Sequence, residues 1–168
     1  SYRGEIEETP RGDDLSMLLL QAHPGMEEAK SVYRKAVQTE KEGDIQEALR
    51  LALWAFSIDD SFQKNLLFLA HLHARTHDYE KAARFLEKFI LSSGEQSCRV
   101  YHALGVFNYK LARIRDAKRN LKKALALDHG HVRSSMMLAR CYLKEGSVEK
   151  ATKVLLHASK TSPHDDKL

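Results

Sequence analysis

The chain has 168 residues with 43% hydrophobic and 30% charged side chains, which is ordinary for a helical protein that folds around a core in water. Its strongly apolar stretches, such as residues 66–70, are far too short to cross a bilayer, and Cys98 and Cys141 have neither metal-ligand nor redox spacing. The net charge of +4 is unevenly distributed, because an acidic segment over residues 1–26 precedes a basic remainder.

The first 26 residues form an acidic N-terminal arm that matches none of the repeats in the rest of the chain. Residues 5–20 read EIEETPRGDDLSMLLL, acidic and then apolar, and His-Pro-Gly at 23–25 is a turn signal. One interpretation is a capping helix over residues 13–22 whose leucines cover the first repeat. Alternatively the arm occupies a groove of its own molecule or of a second copy, which makes the chain an autoinhibited module or a homo-oligomer. Disorder is the third alternative.

Residues 27–168 contain four segments in which small residues recur about every 34 residues. Each segment reads as two amphipathic helices, helix A and helix B, joined by a tight turn. The segments cover approximately residues 27–60, 62–96, 97–131 and 132–165. The three recurring columns are Ala48, Ala82, Ala117 and Ala151; Ala36, Ala70, Gly105 and Ala139; and Ala55, Phe89, Ala124 and Ala158.

The turn between helix A and helix B has the clearest signals in the first repeat. Helix A is predicted over Glu27–Glu42, Gly43 supplies a left-handed residue, and Asp44 begins helix B with the spacing of a capping box to Glu47. The third repeat lacks a residue that could cap its helix B. The equivalent turns of the later repeats are His77-Asp78, Ala112-Arg113 and Gly146-Ser147.

The four segments resemble tetratricopeptide repeats, helix-turn-helix units of about 34 residues with small residues at set positions. The resemblance covers about residues 27–165 and implies an all-α fold, a right-handed α-solenoid of antiparallel helix pairs in which helix A lines a concave groove. Phe89 departs from the pattern by placing a bulky ring at a small position. A pentatricopeptide array, which reads RNA, has units of similar length but is not expected to show these columns.

The positions that the resemblance directs into the groove combine apolar and aromatic side chains with many Lys and Arg residues and one acid, Glu40. Apolar groups left in water are expected where a ligand covers them, and basic groups attract acidic segments. We therefore expect a protein-interaction scaffold that binds an acidic, partly hydrophobic peptide or helix of a partner. The alternative is that some of these side chains pack between adjacent A helices. The predicted partner-binding residues are Lys30, Tyr33, Arg34, Val37, Lys64, Leu67, Phe68, His71, Arg75, Arg99, His102, Val106, Tyr109, Lys110, Arg133, Met136, Met137, Arg140 and Lys144.

Binding of a chaperone C-terminal tail is a specific subclass that can be tested against the sequence. Tetratricopeptide co-chaperones hold the terminal carboxylate with Lys, Asn and Arg at fixed unit positions. Each register of this chain offers one suitable residue, Arg99 or Arg133, so this function is not expected. The matching positions are Tyr33, Val37, Phe68, Arg99 and Ala103 in one register and Leu67, His71, Ala103, Arg133 and Met137 in the other.

Two further constellations have alternative interpretations. His71, His73 and His77 lie close in sequence, but a zinc site would need a further ligand of acidic or thiol character within reach, and histidines are common on helix surfaces without a metal, so no metal is expected. His129 and His131 beside Gly130 are expected to cap helices. A basic stripe on the third helix B gives nucleic-acid binding as a second alternative function. Its residues are Arg113, Arg115, Lys118, Arg119, Lys122 and Lys123.

Enzyme activity is not expected. The sequence contains no Ser-His-Asp order, no phosphate-cradling glycine loop and no recognisable catalytic carboxylate pair, and it predicts no cofactor. The two cysteines outside any pairing pattern are typical of a reducing compartment, so we expect an intracellular protein, cytoplasmic or nuclear.

Overall fold

The structure is a computed structural model that describes residues 24–161. Within this range it contains eight α-helices and no strand. None of these helices has both the length and the hydrophobicity that a membrane crossing requires. In chain order they are α1 (Pro24–Lys41), α2 (Ile45–Ile58), α3 (Gln63–Arg75), α4 (Tyr79–Ser93), α5 (Cys98–Lys110), α6 (Ile114–Leu127), α7 (Val132–Lys144) and α8 (Val148–Thr161).

The helices form the four predicted pairs, with α1, α3, α5 and α7 as the A helices and the others as the B helices. The described residues divide into two compact units, residues 24–62 with the first pair and residues 63–161 with the other three. Within the second unit α4 packs against α5, α6 packs against α7, and α5 also contacts α7. The predicted capping helix over residues 13–22 lies outside the described residues, as does the end of the fourth repeat after Thr161.

Every residue of the three small-residue columns is buried. Ala48, Ala82 and Ala117 have 0% of their surface exposed, as expected where two helices of a pair approach closely. Phe89, the bulky exception, is 3% exposed and therefore lies within the core of the second unit. The columns thus mark the contact faces of the helix pairs, as the sequence predicts.

The four turns share one backbone conformation. Gly43, His77, Ala112 and Gly146 all have positive φ angles, of 96°, 62°, 59° and 74°. Because a left-handed residue ends helix A abruptly, helix B can turn back along it after two or three residues. Glycine adopts this conformation without steric cost, whereas His77 and Ala112 adopt it with a Cβ atom present.

The predicted helix caps are formed where the sequence supplies a carboxylate. An Asp44 carboxylate oxygen accepts a hydrogen bond from the Glu47 backbone N–H at 3.0 Å, and Asp78 accepts one from the Lys81 N–H at 3.1 Å. Arg113 makes no side-chain cap at the start of α6, as predicted. The capping box of the first repeat is only half formed, because the Glu47 carboxylate accepts a hydrogen bond from Arg50 Nε at 2.7 Å instead.

The first helix begins earlier than the sequence predicts. We expected a turn at residues 23–25 and a helix from Glu27, whereas α1 starts at Pro24. Proline is favourable at the first helical position, because its φ angle is already helical and the N–H that it lacks would have no partner there. The interpretation as a turn is therefore wrong, since a proline followed by a helical pattern equally indicates a helix start.

Candidate functional site

None of the predicted partner-binding residues is buried. The largest group is exposed and consists mainly of basic side chains, while the remainder is half-buried and mainly apolar or aromatic. The exposed members are Arg34, Lys64, Leu67, His71, Arg75, Arg99, Lys110, Arg133, Met136, Arg140 and Lys144. The half-buried members are Lys30, Tyr33, Val37, Phe68, His102, Val106, Tyr109 and Met137.

In the first unit, described from residue 24 to residue 62, two of the predicted site residues, Lys30 and Tyr33, have partners within the unit. Lys30 Nζ lies 2.7 Å from a carboxylate oxygen of Glu27. The ring of Tyr33 packs edge-to-face on Phe62 with 5.1 Å between centroids, and burial raises the pKa of the Tyr33 hydroxyl. Arg34 remains exposed. Two of the side chains predicted to bind a partner here therefore already contact other residues of the same unit.

In the second unit, residues 63–161, the three A helices present the same stripe of side chains, which we call the A face. Its members are spaced i, i+3, i+7 and i+11, so they share one side of each helix. Every stripe begins and ends with Lys or Arg, with about 16 Å between its two ends along the helix axis. The A face consists of Lys64, Leu67, His71 and Arg75 on α3, Arg99, His102, Val106 and Lys110 on α5, and Arg133, Met136, Arg140 and Lys144 on α7.

Large apolar side chains interrupt the basic residues of the A face. Met136 is 49% exposed and Leu67 is 36% exposed, and Leu143, beside the stripe on α7, is 51% exposed. Tyr109 and Met137 instead pack against the core cluster that includes Leu121 and Leu138. Some of the predicted apolar residues are therefore exposed to solvent, as a binding groove requires. Others pack within the protein, as the alternative interpretation expects.

Most basic residues of the A face have no acidic partner in the described part of the chain. Six of them make no ion pair with any residue between 24 and 161. An exposed positive charge without a neighbouring carboxylate is available to an incoming anion, and it attracts acidic segments from a distance. The six residues are Lys64, Arg99, Lys110, Arg133, Arg140 and Lys144.

The basic stripe on α6 is different, because much of it is engaged within the molecule. Arg113 bonds Glu80 at 2.7 Å, and Lys118 Nζ lies 2.7 Å from one carboxylate oxygen of Glu145. Arg119 lies 2.9 Å from Asp116, a third ion pair on this helix. Further, Lys118 and Lys123 lie over the rings of Tyr142 and Tyr101, at 5.4 and 5.2 Å from the ring centroids. The sequence pattern could not separate these charges, because two of the acids that pair with them, Glu80 and Glu145, belong to other repeats.

A histidine–serine–histidine contact joins α5 to α7 at the edge of the A face. His102 Nδ1 lies 3.0 Å from Ser134 Oγ, and His131 Nδ1 lies 2.7 Å from the same oxygen. His131 also caps α7 by accepting the Ser134 backbone N–H at 3.2 Å, as predicted. Burial lowers the pKa of His102, and the neighbouring His131 and Arg133 lower it further. No pattern in the sequence pointed to Ser134, which is buried although polar.

The three histidines considered for a metal site have separate aromatic partners. His73 is buried and stacks on Phe85 with 5.5 Å between centroids, whereas the His77 ring contacts Tyr79 at 5.9 Å. His71 lies 6.5 Å from Phe68, again measured between centroids. In residues 24–161 no group of three His, Cys, Asp or Glu side chains is arranged to hold a metal ion.

Comparison with known proteins agrees with this architecture. Residues 110–168 match the sequence model of the tetratricopeptide-repeat family, and solved structures of that family superpose on most of the chain. The fold is that of tetratricopeptide-repeat proteins. The all-α fold of tetratricopeptide-type helix pairs predicted from the sequence is therefore confirmed. No curated protein sequence matches the chain.

The tetratricopeptide-repeat structures similar to this chain include MamA and YrrB. A MamA crystal structure has 22% identity and a TM-score of 0.71, covering 76% of this chain and 74% of that chain. MamA of Desulfovibrio magneticus RS-1 has 14% identity and a TM-score of 0.75, covering 83% and 78%. YrrB, described as a TPR protein with an unusual peptide-binding site, has 18% identity and a TM-score of 0.68, covering 79% and 68%. At these identities the likeness is one of fold.

Proposed function

We propose that this tetratricopeptide-type scaffold binds an acidic, partly hydrophobic peptide or helix of a partner protein on the A face of residues 63–161. A role as a protein-interaction scaffold in general is supported by the fold and by its likeness to MamA and YrrB. The observation that carries the specific proposal is the contrast between the unpaired basic residues of the A face and the paired ones of α6.

The charge pattern supports an acidic ligand. Unpaired Lys and Arg residues stand at both ends of the α5 and α7 stripes, and an acidic chain lying across the helices would meet a positive charge on either side. Basic residues that already bond Glu80 and Glu145 have less to gain from a ligand. The same contrast gives no support to nucleic-acid binding through α6.

The apolar residues support a ligand with hydrophobic side chains. Leu67, Met136 and Leu143 are exposed on or beside the A face, and covering them would supply affinity that charge alone does not. Methionine adapts its shape to different side chains, which suits a surface for peptides. That YrrB, a protein of the same fold, is described with a peptide-binding site is consistent with a peptide as the ligand.

Selection from a random peptide library tests the proposal, because the library itself supplies the candidate ligands. Peptides of 12 residues displayed on phage would be selected on the full-length chain, on Arg140→Glu and on the control Lys122→Glu. Lys122 is exposed on α6 and makes no ion pair with the described residues, so its replacement breaks no ion pair. Lys122→Glu also changes the net charge by the same amount as Arg140→Glu. We expect acidic-apolar peptides on the wild type and the control but not on Arg140→Glu. Enrichment of neutral or basic peptides on the wild type would contradict the proposal.

An autoinhibited or self-associating module remains the second candidate, because residues 5–20 have the acidic and apolar composition proposed for the ligand. Deletion of residues 1–23 followed by titration with a selected peptide separates the two. Tighter binding after deletion supports occupancy of the groove by the arm. Unchanged affinity together with a lower melting temperature supports an arm that caps the end of the array instead.

A further inference from the structure

A cleft opens at the end of the A face where α5 and α7 begin. It has a volume of about 480 Å³, and its wall includes Arg99 from the first turn of α5, Arg133 from the first turn of α7, and the α6–α7 loop with Asp128 and Gly130. Both arginines are exposed and belong to the set without an ion pair among the described residues. The two guanidinium groups are therefore free to bind an anion that enters the cleft.

The hydrogen bonds beside the cleft fix the helix positions that carry the two arginines relative to each other. Ser134, which follows Arg133 directly, contacts the rings of both His102 and His131, and His102 lies one turn after Arg99 on α5. The His102 and His131 rings also pack edge-to-face with 5.0 Å between centroids. Because the backbones that carry the arginines are already fixed, binding of an anion would have to order only the two arginine side chains.

The charge in the cleft matches a single negative charge. Two arginines and one carboxylate, that of Asp128, line the cleft, and this carboxylate is held in the loop by the Gly130 N–H, which donates to Asp128 Oδ1 at 3.0 Å. The cleft thus carries one excess positive charge. A monoanion balances that excess, whereas a phosphate dianion would leave negative charge beside Asp128.

We propose that this cleft is a subsite for one Asp or Glu side chain of the bound peptide, whose carboxylate is held by Arg99 and Arg133. The proposal rests on the peptide-binding function proposed above and adds a fixed point that sets the register of the peptide. It differs from attraction by the whole A face, because only the row of basic residues at the N-terminal ends of α5 and α7 takes part. Arginine suits this role because its planar fork can bond both oxygens of a carboxylate.

The test repeats the library selection on three proteins: the wild type, Arg99→Gln/Arg133→Gln and Lys110→Gln/Lys144→Gln. Both double variants remove two positive charges from exposed positions of α5 and α7, but from opposite ends of the stripes. Wild-type peptides are expected to share one acidic residue at a constant distance from their apolar residues. That acidic position should disappear only with Arg99→Gln/Arg133→Gln. Melting curves followed by circular dichroism show that both variants are folded.

A binding cycle with one selected peptide completes the test. Replacing its shared Glu by Gln should weaken binding to the wild type about 10-fold or more, and should have almost no effect on Arg99→Gln/Arg133→Gln. Equal losses in both double variants, or none in either, would overturn the subsite and leave the peptide-binding function standing. Wild-type selection without acidic peptides would instead refute that function. Tighter binding of a phosphoserine peptide than of the Glu peptide would refute the carboxylate as the ligand.

Discussion

Gly105 on α5 and Leu121 on α6 lie so close that a Cβ atom placed on Gly105 would be 2.5 Å from Leu121 Cγ. The two helices of the third repeat are in contact at this point, and Leu121 has 0% exposure, so it has little room to move. Gly105→Ala should therefore destabilise the protein by about 1 kcal/mol, because overpacking outweighs the better helix propensity of alanine. Urea unfolding of the variant and the wild type measures this difference.

The double variant separates steric overlap from other causes. In a Leu121→Ala background the overlap is gone, and Gly105→Ala should then be neutral or stabilising by up to about 1 kcal/mol, the usual gain of alanine over glycine in a helix. If Gly105→Ala costs the same in both backgrounds, the close approach of α5 and α6 does not determine its effect.

Ala112 ends α5 in the left-handed conformation, with φ of 59°, at the position where the first and fourth repeats have glycine. Ala112→Gly should stabilise the protein by about 0.5–1 kcal/mol, because the strain of the Cβ atom exceeds the extra entropy of glycine in the unfolded chain. Ala126→Gly is the matched control, since Ala126 is exposed and lies within helix α6. The control should lower the melting temperature, and a similar decrease with Ala112→Gly would contradict the prediction.

His73 makes stability depend on pH. Burial lowers its pKa below the ordinary value of 6.5 despite the nearby Asp78, and its Nε2 atom has no hydrogen-bond partner among residues 24–161. The unfolded chain therefore binds a proton at higher pH than the folded one, so stability is full above pH 6.5 and decreases as pH falls below it. His102 acts in the same direction.

Urea unfolding at about pH 7.5 and about pH 5.5 measures this effect in a range above the titration of ordinary carboxylates. The loss of unfolding free energy between the two pH values should be smaller in His73→Leu than in the wild type. The exposed His157 supplies the control, since His157→Leu should leave the loss unchanged. A pH dependence that is identical in all three proteins would contradict the assignment to His73.

Much of the local architecture could be predicted from the sequence, because it depends on residues close together in the chain. The three columns of small residues indicate where the two helices of each pair are in contact. Gly43 and Gly146 indicate left-handed turns by their residue type. His77 and Ala112 take the same conformation because their repeats impose it, so only alignment with the glycines indicates it. Propensity at a single position could not have predicted these two turns.

The contacts between repeats could not be predicted from the sequence. Arg113 and Glu80 are far apart in the chain, as are His102 and Ser134, and their distances depend on how successive helix pairs stack. A pattern of charges on one helix shows which residues share a face but not which of them meet an acid from another repeat. The sequence therefore indicates which residues share the A face, but it could not distinguish the six of its charges that make no ion pair among the described residues from the paired charges of α6.

The exposed side of α8 leads to a last prediction, on two leucines at the same position of successive repeats. Leu121 on α6 is fully buried against α7, whereas Leu155 on α8 is 42% exposed, since no further helix pair follows α8 in the described chain. Leu121→Ala should cost about 3 kcal/mol because it leaves a cavity, and Leu155→Ala should cost less than about 1 kcal/mol because water already reaches its site. Urea unfolding of both variants measures the contrast, with circular dichroism to verify their helix content. Equal costs would mean that Leu155 is covered in solution, by a segment of this chain or by another copy, and that the end of the array is closed.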